Sequence, residues 1–315
     1  MVNIGIIGVG GVGGYLGSHL TSYYEGSSDV RISLFARGTT ARVLNRDGLT
    51  LKTNTKTTIS RPFAIYQPED EPQDKMDYVF VCVKSYSIVS VIELIRKIAN
   101  SNATIIPFQN GVDGHAMLKE LLPELNVING CVYVMSRIES PAVIVESGIP
   151  KKTRFYYGSD SGEMDNLRHL ESILKPSFDH IHLVDDIAIK VWTKFSRIST
   201  LSTIQTYYGI TCGEIVANQT IMNQYIDLLK EFIAVALSEG YKLADDLLQE
   251  SLDYVKITPF GMTTSMQRDF SEGKKSELEG QTGYIVRIAE KNGIAAPLYS
   301  MMYMELLKIS QNSEI

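Results

Sequence analysis

Apolar residues in the first half of the chain gather in short continuous runs, separated by glycines, polar turns and amphipathic stretches. The opening stretch, "NIGIIGVGGVGGYLGSHLTSYY", reads as a buried strand, a glycine-rich turn and a helix. "VRISLFAR" predicts a second strand, its apolar residues broken by Arg31 and Ser33. "DYVFVCVK" is a continuous apolar strand of the kind a parallel sheet covers on both faces. "SIVSVIELIRKIA" follows as a helix, with Ile88, Val91, Ile92 and Ile95 at helical spacing, and "ATIIPFQNG" is a further strand ending in a polar turn. Strand–helix alternation with short connections predicts a doubly wound α/β domain. From about residue 127 come short strands, "VINGCVYVM", "AVIVESG", "RFYYGSD" and "HIHLVDD", expected to extend the same sheet in mixed directions. Beyond residue 185 strand signals stop, and helical patterns run through 187–207, 218–239, 263–272, 277–292 and 298–310. The expected domains are therefore 1–185, α/β, and 186–315, all-helical.

The first of those late helices carries a lysine on its apolar face. Ile187, Val191, Ile198 and Leu201 lie at −7, −3, +4 and +7 from Lys194 and share its side of the helix. An ammonium there costs free energy unless it is paired, reaches water or performs chemistry. Lys190 and Arg197 flank the stripe, which keeps open the plain alternative of a lysine lying along the surface with its head in solvent.

Composition narrows the class without naming it. At 315 residues, 44% hydrophobic and 21% charged, the chain suits two globular domains. A net charge of −6, with no basic cluster interleaved with aromatics, argues against a nucleic-acid partner. The first strand begins at residue 3, leaving no room for a signal peptide, and no apolar run is long enough for a membrane span. Cys82, Cys131 and Cys212 are odd in number and far apart, so a reducing cytoplasm is expected and no metal site. The histidines make no HxxxH pair; His180 and His182 would share one face of a strand. The Tyr- and Met-rich stretch near 298–304 suits either core, the preferred reading, or a dimer surface, leaving monomer or homodimer open.

Three features carry chemistry. Gly8, Gly10 and Gly13 stand in GxGxxG register between a strand and a helix: a tight turn, close backbone approach to a pyrophosphate, and close helix–strand packing. Gly11 and Val12 then offer helix-N-terminal N–H groups to the phosphates. An NAD site usually closes the second strand with an acid, but here Ala36 and Arg37 occupy that place. A guanidinium suits a 2′-phosphate, so NADP(H) is expected. Finally, Lys84 and Gln109-Asn110-Gly111 follow strands at their carboxyl ends, where doubly wound sheets bind ligands.

Taken in order, these motifs resemble those of ketopantoate (2-dehydropantoate) reductases. "WTKF" at 192–195 resembles their Trp-x-Lys-Leu helix start, and "TSMQRDFSEGKKSELE" at 264–279 their Ser-Met-x-x-Asp…Gly-Arg-x-Thr-Glu-Ile segment. "KNGIAAPLYSMMY" is similar to their closing Gly-x-x-x-Pro helix. The resemblance implies a Rossmann domain followed by an all-helical domain, an active site in the cleft between them, and NADPH-dependent reduction of ketopantoate to pantoate on the route to pantothenate and coenzyme A. It also implies roles. Lys194 matches the general acid that protonates the carbonyl oxygen, and Glu277 the acidic residue that completes the substrate site. Asn110 and Ser265 match groups on the substrate carboxylate, Asn110 is also expected at the cofactor and Ser202 at the substrate, and Lys84 matches the lysine beside nicotinamide and substrate.

The match has two departures. Family members commonly carry Asn at +4 and +8 from the lysine, where this chain has Ile198 and Ser202, and Lys274 replaces the motif Arg. A pocket without a hydrogen-bond partner discriminates poorly for a substrate hydroxyl. Two other readings therefore stand beside ketopantoate reduction: a paralogous NADPH-dependent reductase of a more apolar 2-oxo acid, and a non-catalytic NADP(H)-binding sensor. A sensor has no need of a proton donor.

Overall fold

The computed structural model describes residues 1–146, 153–160 and 164–312. Ser147 and Gly148, the end of the expected "AVIVESG" strand, lie outside them. Two compact units emerge: Met1–Gln109 with Gly114–Ile187, and Asn110–Asp113 with Ala188–Ile315. The second unit thus takes four residues, Asn110–Asp113, from within the stretch that otherwise forms the first unit.

The first unit begins with β1 (Val2–Ile7), α1 (Gly11–Tyr24), β2 (Val30–Phe35), α2 (Gly38–Asp47), β3 (Leu49–Lys52), β4 (Thr57–Ser60), β5 (Ala64–Tyr66) and β6 (Met76–Val81). It continues through α3 (Ile92–Ile98), β7 (Ala99–Pro107), α4 (Asp113–Leu121), β8 (Asn126–Val127), β9 (Asn129–Tyr133), β10 (Ser136–Ser140), β11 (Val143–Glu146), β12 (Arg154–Gly158), α5 (Asp165–Ser177) and β13 (Ile181–Leu183). Its main sheet has six parallel strands in the order β5-β2-β1-β6-β7-β8. The continuous apolar runs are explained by burial on both faces. Along β1 and β6, Ile4, Ile6, Tyr78 and Phe80 enter one core, while Ile7, Val79 and Val81 enter the other. Arg31 and Ser33 do not interrupt β2. Arg31 reaches Asp74 at 2.6 Å and lies over the Phe63 ring, and Ser33 is buried.

The late strands correct the expectation of one extended sheet. Only Asn126–Val127 joins the main sheet. β10 and β11 combine with β3 and β4, and β9, β12 and β13 form a further sheet of mixed direction. β4 and β10 are mostly polar and exposed, and β3 alternates buried Leu49 and Leu51 with polar residues over only four positions, too short for a periodic signal. The helix expected from Ser87 opens instead as 3₁₀ turns at Ser85–Ser87 and Val89–Val91 before α3, with Ile88, Val91, Ile92 and Ile95 all buried.

Helices make up the second unit: α6 (Ile187–Tyr208), α7 (Cys212–Ala217), α8 (Gln219–Ser238), α9 (Leu247–Ile257), α10 (Ser265–Ser271), α11 (Tyr284–Asn292) and α12 (Pro297–Asn312). Trp192, Phe195, Tyr225, Phe232 and Tyr299 sit in its core. α7 and α9 have no counterpart among the expected helices. α7 spans six residues and is held by a Thr211–Glu214 capping box, and α9 buries only Leu247, Ser251 and Val255, a stripe with a serine at its centre. α12 divides by face: Tyr299 and Met302 are buried, whereas Met301 and Met304 are exposed. The pattern over 277–292 is not one regular helix, because Glu279–Gly283 forms a π turn with Gly280, Gln281, Thr282 and Gly283 buried. Single π turns of this kind often lie at functional positions.

Candidate active site

In the first unit the glycine turn has the geometry its spacing suggests. Gly8 lies at φ +94°, and a Cβ there would come within 2.9 Å of the Val83 side chain. A Cβ on Gly13 would sit 2.1 Å from the Gly8 carbonyl oxygen and 2.8 Å from Cys82 Cβ. Gly10 is the opposite case, with no atom within 4 Å of the position its Cβ would take. The turn is therefore closed on its strand side at Gly8 and Gly13 and open above Gly10, as a backbone that receives a pyrophosphate requires. α1 starts here, the Gly14 N–H donating to the Gly10 carbonyl at 2.7 Å, which directs the N–H groups of Gly11 and Val12 outward from the helix start. Burial against the turn pushes the Cys82 thiol up and leaves it an inert packing group.

Neighbouring strand ends gather around this turn. The Cys82 N–H donates to the Ile7 carbonyl at 2.8 Å, and Lys84 follows two residues later, half-buried at the start of a 3₁₀ turn. Gln109 Nε2 donates to the Val83 carbonyl at 2.8 Å and ties the end of β7 to that of β6. Arg37 lies just beyond β2 as the exposed N-cap residue of α2. Gly8, Gly10, Gly11, Val12, Gly13, Arg37 and Lys84 thus all lie at carboxyl ends of parallel strands, or in the loops and first turns that follow them.

The second unit brings Asn110 to Lys194. Lys194 Nζ donates to Asn110 Oδ1 at 2.7 Å, and the lysine is only 6% exposed. It does not lie along a surface with its head in solvent. Its helix is unusual throughout: Ser196, Ser199, Thr200, Ser202, Thr203 and Gln205 are all buried beside Phe195, Leu201 and Ile204. Many of these polar groups are bonded. Ser199 Oγ donates to the Gln281 carbonyl at 2.8 Å, Thr203 pairs with Thr282 at 2.8 Å, and Gln205 Oε1 accepts from the Thr264 N–H at 2.9 Å. Ile198, one turn beyond Lys194, is half-buried, and Ser202 lies a further turn on.

Glu277 is 3% exposed and stands just before the π turn. Ser265 is the first residue of α10 and not its cap; Thr264 caps that helix, accepting from the Gln267 N–H. Ser265 is half-buried. Spacing alone did not reveal Gln281, which is buried and donates from Nε2 to Glu277 Oε2. The available signal was the i, i+4 pairing of a glutamate and a glutamine within the helical pattern over 277–292. Among the described residues, no group of three or more His, Cys, Asp or Glu is placed to hold a metal ion, and no helix is long and apolar enough to cross a membrane.

A parallel sheet with an open glycine turn at its strand ends, followed by a helical unit with a buried lysine, defines a Rossmann-like class of protein with an added helical unit. Family models give it a narrower place. The model for "Ketopantoate reductase PanE/ApbA" matches residues 4–160, and that for its C-terminal domain matches residues 186–310. The chain belongs to the ketopantoate reductase family. It is 26% identical over 302 residues to the uncharacterized oxidoreductase YkpB of Bacillus subtilis, covering 96% of each chain. It is similar in structure to 2-dehydropantoate 2-reductase from Porphyromonas gingivalis, with a TM-score of 0.83, 26% identity and coverage of 97% and 99%. D-mandelate dehydrogenase, solved with NADH and anilino(oxo)acetate, shares the fold at a TM-score of 0.86 and 18% identity, with full coverage of both chains.

Proposed function

We propose that the protein reduces 2-dehydropantoate to pantoate with NADPH, a step of pantothenate and coenzyme A biosynthesis. The observation that carries this reading is the buried Lys194 ammonium, bonded to Asn110 at 2.7 Å, in a chain of this family. Residues 1–185 form the NADP(H)-binding domain, with Gly8, Gly10, Gly11, Val12 and Gly13 cradling the pyrophosphate and Arg37 meeting the 2′-phosphate. Residues 186–315 form the substrate and catalytic domain. When bound, NADPH supplies the hydride. Lys194 delivers the proton to the carbonyl oxygen, where its positive charge is most favourable as negative charge develops. An ammonium carries three donors, so a bond to Asn110 fixes its direction and is compatible with donation to substrate. Asn110, Ser265 and Ser202 hold the polar groups of the 2-oxo acid, Lys84 adds a cation beside the nicotinamide and the substrate, and Glu277 completes the site.

Ile198 favours a second reading, reduction of a 2-oxo acid with an apolar side chain. It places a hydrocarbon, half-buried, one helical turn from Lys194. D-mandelate dehydrogenase, which shares this fold, holds anilino(oxo)acetate, an oxo acid with an aromatic group, beside NADH. Following NADPH oxidation across a panel of 2-oxo acids separates the readings. Ketopantoate turned over well above its deoxy analogues supports the first, preference for an acid lacking the hydroxyl supports the second, and no turnover at all leaves a binding protein. The same assay tests the cofactor: NADPH is expected to be preferred over NADH, and Arg37→Ala to narrow the preference by about tenfold, the worth of one charge-assisted hydrogen bond. A native preference for NADH would overturn the NADP(H) assignment.

A further inference from the structure

We propose that Gln281 is a positioning residue for the Glu277 carboxylate; this rests on the assignment of Glu277 to the substrate site made above. Both side chains are buried, Gln281 at 1% and Glu277 at 3% exposure. Gln281 Nε2 donates to Glu277 Oε2 at 3.4 Å. The other end of the amide, Oε1, is buried and has no hydrogen-bond partner among the described residues. An unpartnered buried acceptor lowers stability, and an apolar side chain of the same length would fill this space without that cost. The amide is therefore poorly suited to packing and well suited to donating to a carboxylate, which can only accept.

The backbone around Gln281 is fixed from three sides. Its N–H donates to the Glu277 carbonyl at 2.9 Å, and its own carbonyl accepts from Ser199 Oγ at 2.8 Å. Ser199 Oγ also pairs with the Tyr299 hydroxyl at 2.8 Å, and the adjacent Thr282 is bonded to Thr203. Ser199 and Thr203 lie on α6, the helix that carries Lys194. The π turn thus sets the origin of the Gln281 side chain against the lysine's own helix, and the amide transmits that register to Glu277.

Gln281→Met keeps the side-chain length and removes both polar atoms. The test measures thermal melting, NADPH binding and steady-state kinetics on the 2-oxo acid selected by the substrate panel, in the wild-type and Glu277→Gln backgrounds. The expected result is a melting temperature unchanged or raised, unaltered NADPH affinity, and kcat lowered about tenfold with a smaller change in KM, as for a mispositioned group. In the Glu277→Gln background the substitution is expected to lower kcat no further, the sign of two residues acting as one unit. Normal turnover by Gln281→Met, an effect fully additive with Glu277→Gln, or a large fall in melting temperature would each overturn the proposal. Normal turnover by Glu277→Gln, or no turnover by wild type, would instead remove the site assignment on which it rests.

Discussion

Lys194→Ala is expected to lower turnover by about two orders of magnitude or more, the usual contribution of a general acid, while NADPH affinity changes little. The lysine is buried, so an alanine leaves no other ammonium at that point of α6; Lys190 and Arg197 lie on the flanks, and Arg197 is engaged with Glu250 at 2.8 Å. Asn110 loses its donor and the buried side chain leaves a cavity, so a modest fall in melting temperature accompanies the loss of turnover. Lys194→Arg is expected to rescue poorly, because a guanidinium stays protonated and its planar fork does not reproduce a point donor. Steady-state turnover beside NADPH fluorescence titration reads the result. Near-normal turnover in the alanine variant would refute the proton-donor role.

Gly13→Ala should affect folding itself. The new Cβ would lie 2.1 Å from the Gly8 carbonyl oxygen, a backbone atom that cannot swing aside, so the start of α1 must move off β1 and β6. Overpacking of this sort costs about 1–3 kcal/mol, and it falls on the turn proposed to hold the pyrophosphate. Both melting temperature and NADPH affinity are expected to drop. Gly10→Ala makes the sharper comparison. Gly10 has φ −93° and ψ −160°, which alanine adopts, and the added methyl meets nothing within 4 Å. Its stability is expected to stay within about 0.5 kcal/mol of wild type, while NADPH binding weakens because the methyl occupies the approach to the backbone. Unchanged NADPH affinity in Gly10→Ala would argue that the pyrophosphate lies elsewhere.

The Rossmann-like half was legible because a strand buried on both faces leaves an unmistakable apolar run, and Gly8 and Gly13 beside it serve steric needs that no other residue meets. Ile4, Ile6, Val79 and Val81 could be placed in a core from their order alone. The edge elements were not legible. β10 is mostly exposed and draws its definition from pairing with β11, a contact the local pattern cannot express. α9 hides for the opposite reason, its buried stripe interrupted by Ser251. In the candidate site, Lys194 stood out as a charge on an apolar face. Its partner Asn110 lies 84 positions away, and only the fold joins them. Gln281 was invisible because a Glu–Gln pair at i, i+4 is ordinary on an exposed helix, and nothing local shows that both side chains are buried.

The π turn has a consequence for how the chain tolerates length changes. A π turn amounts to one residue more than a regular helix needs, and each residue advances a helix by about 100°. Removing a single residue from 279–283 would let the segment run on as an ordinary helix into Tyr284–Asn292, a change that backbone hydrogen bonding by itself would welcome. Everything upstream would then be out of phase with everything downstream, and Glu277 would be carried about a quarter of the way around the axis. Such a deletion is expected to leave circular dichroism helical and turnover abolished. The surplus residue is in this sense a spacer in angle, setting the direction of a carboxylate as a linker sets a distance.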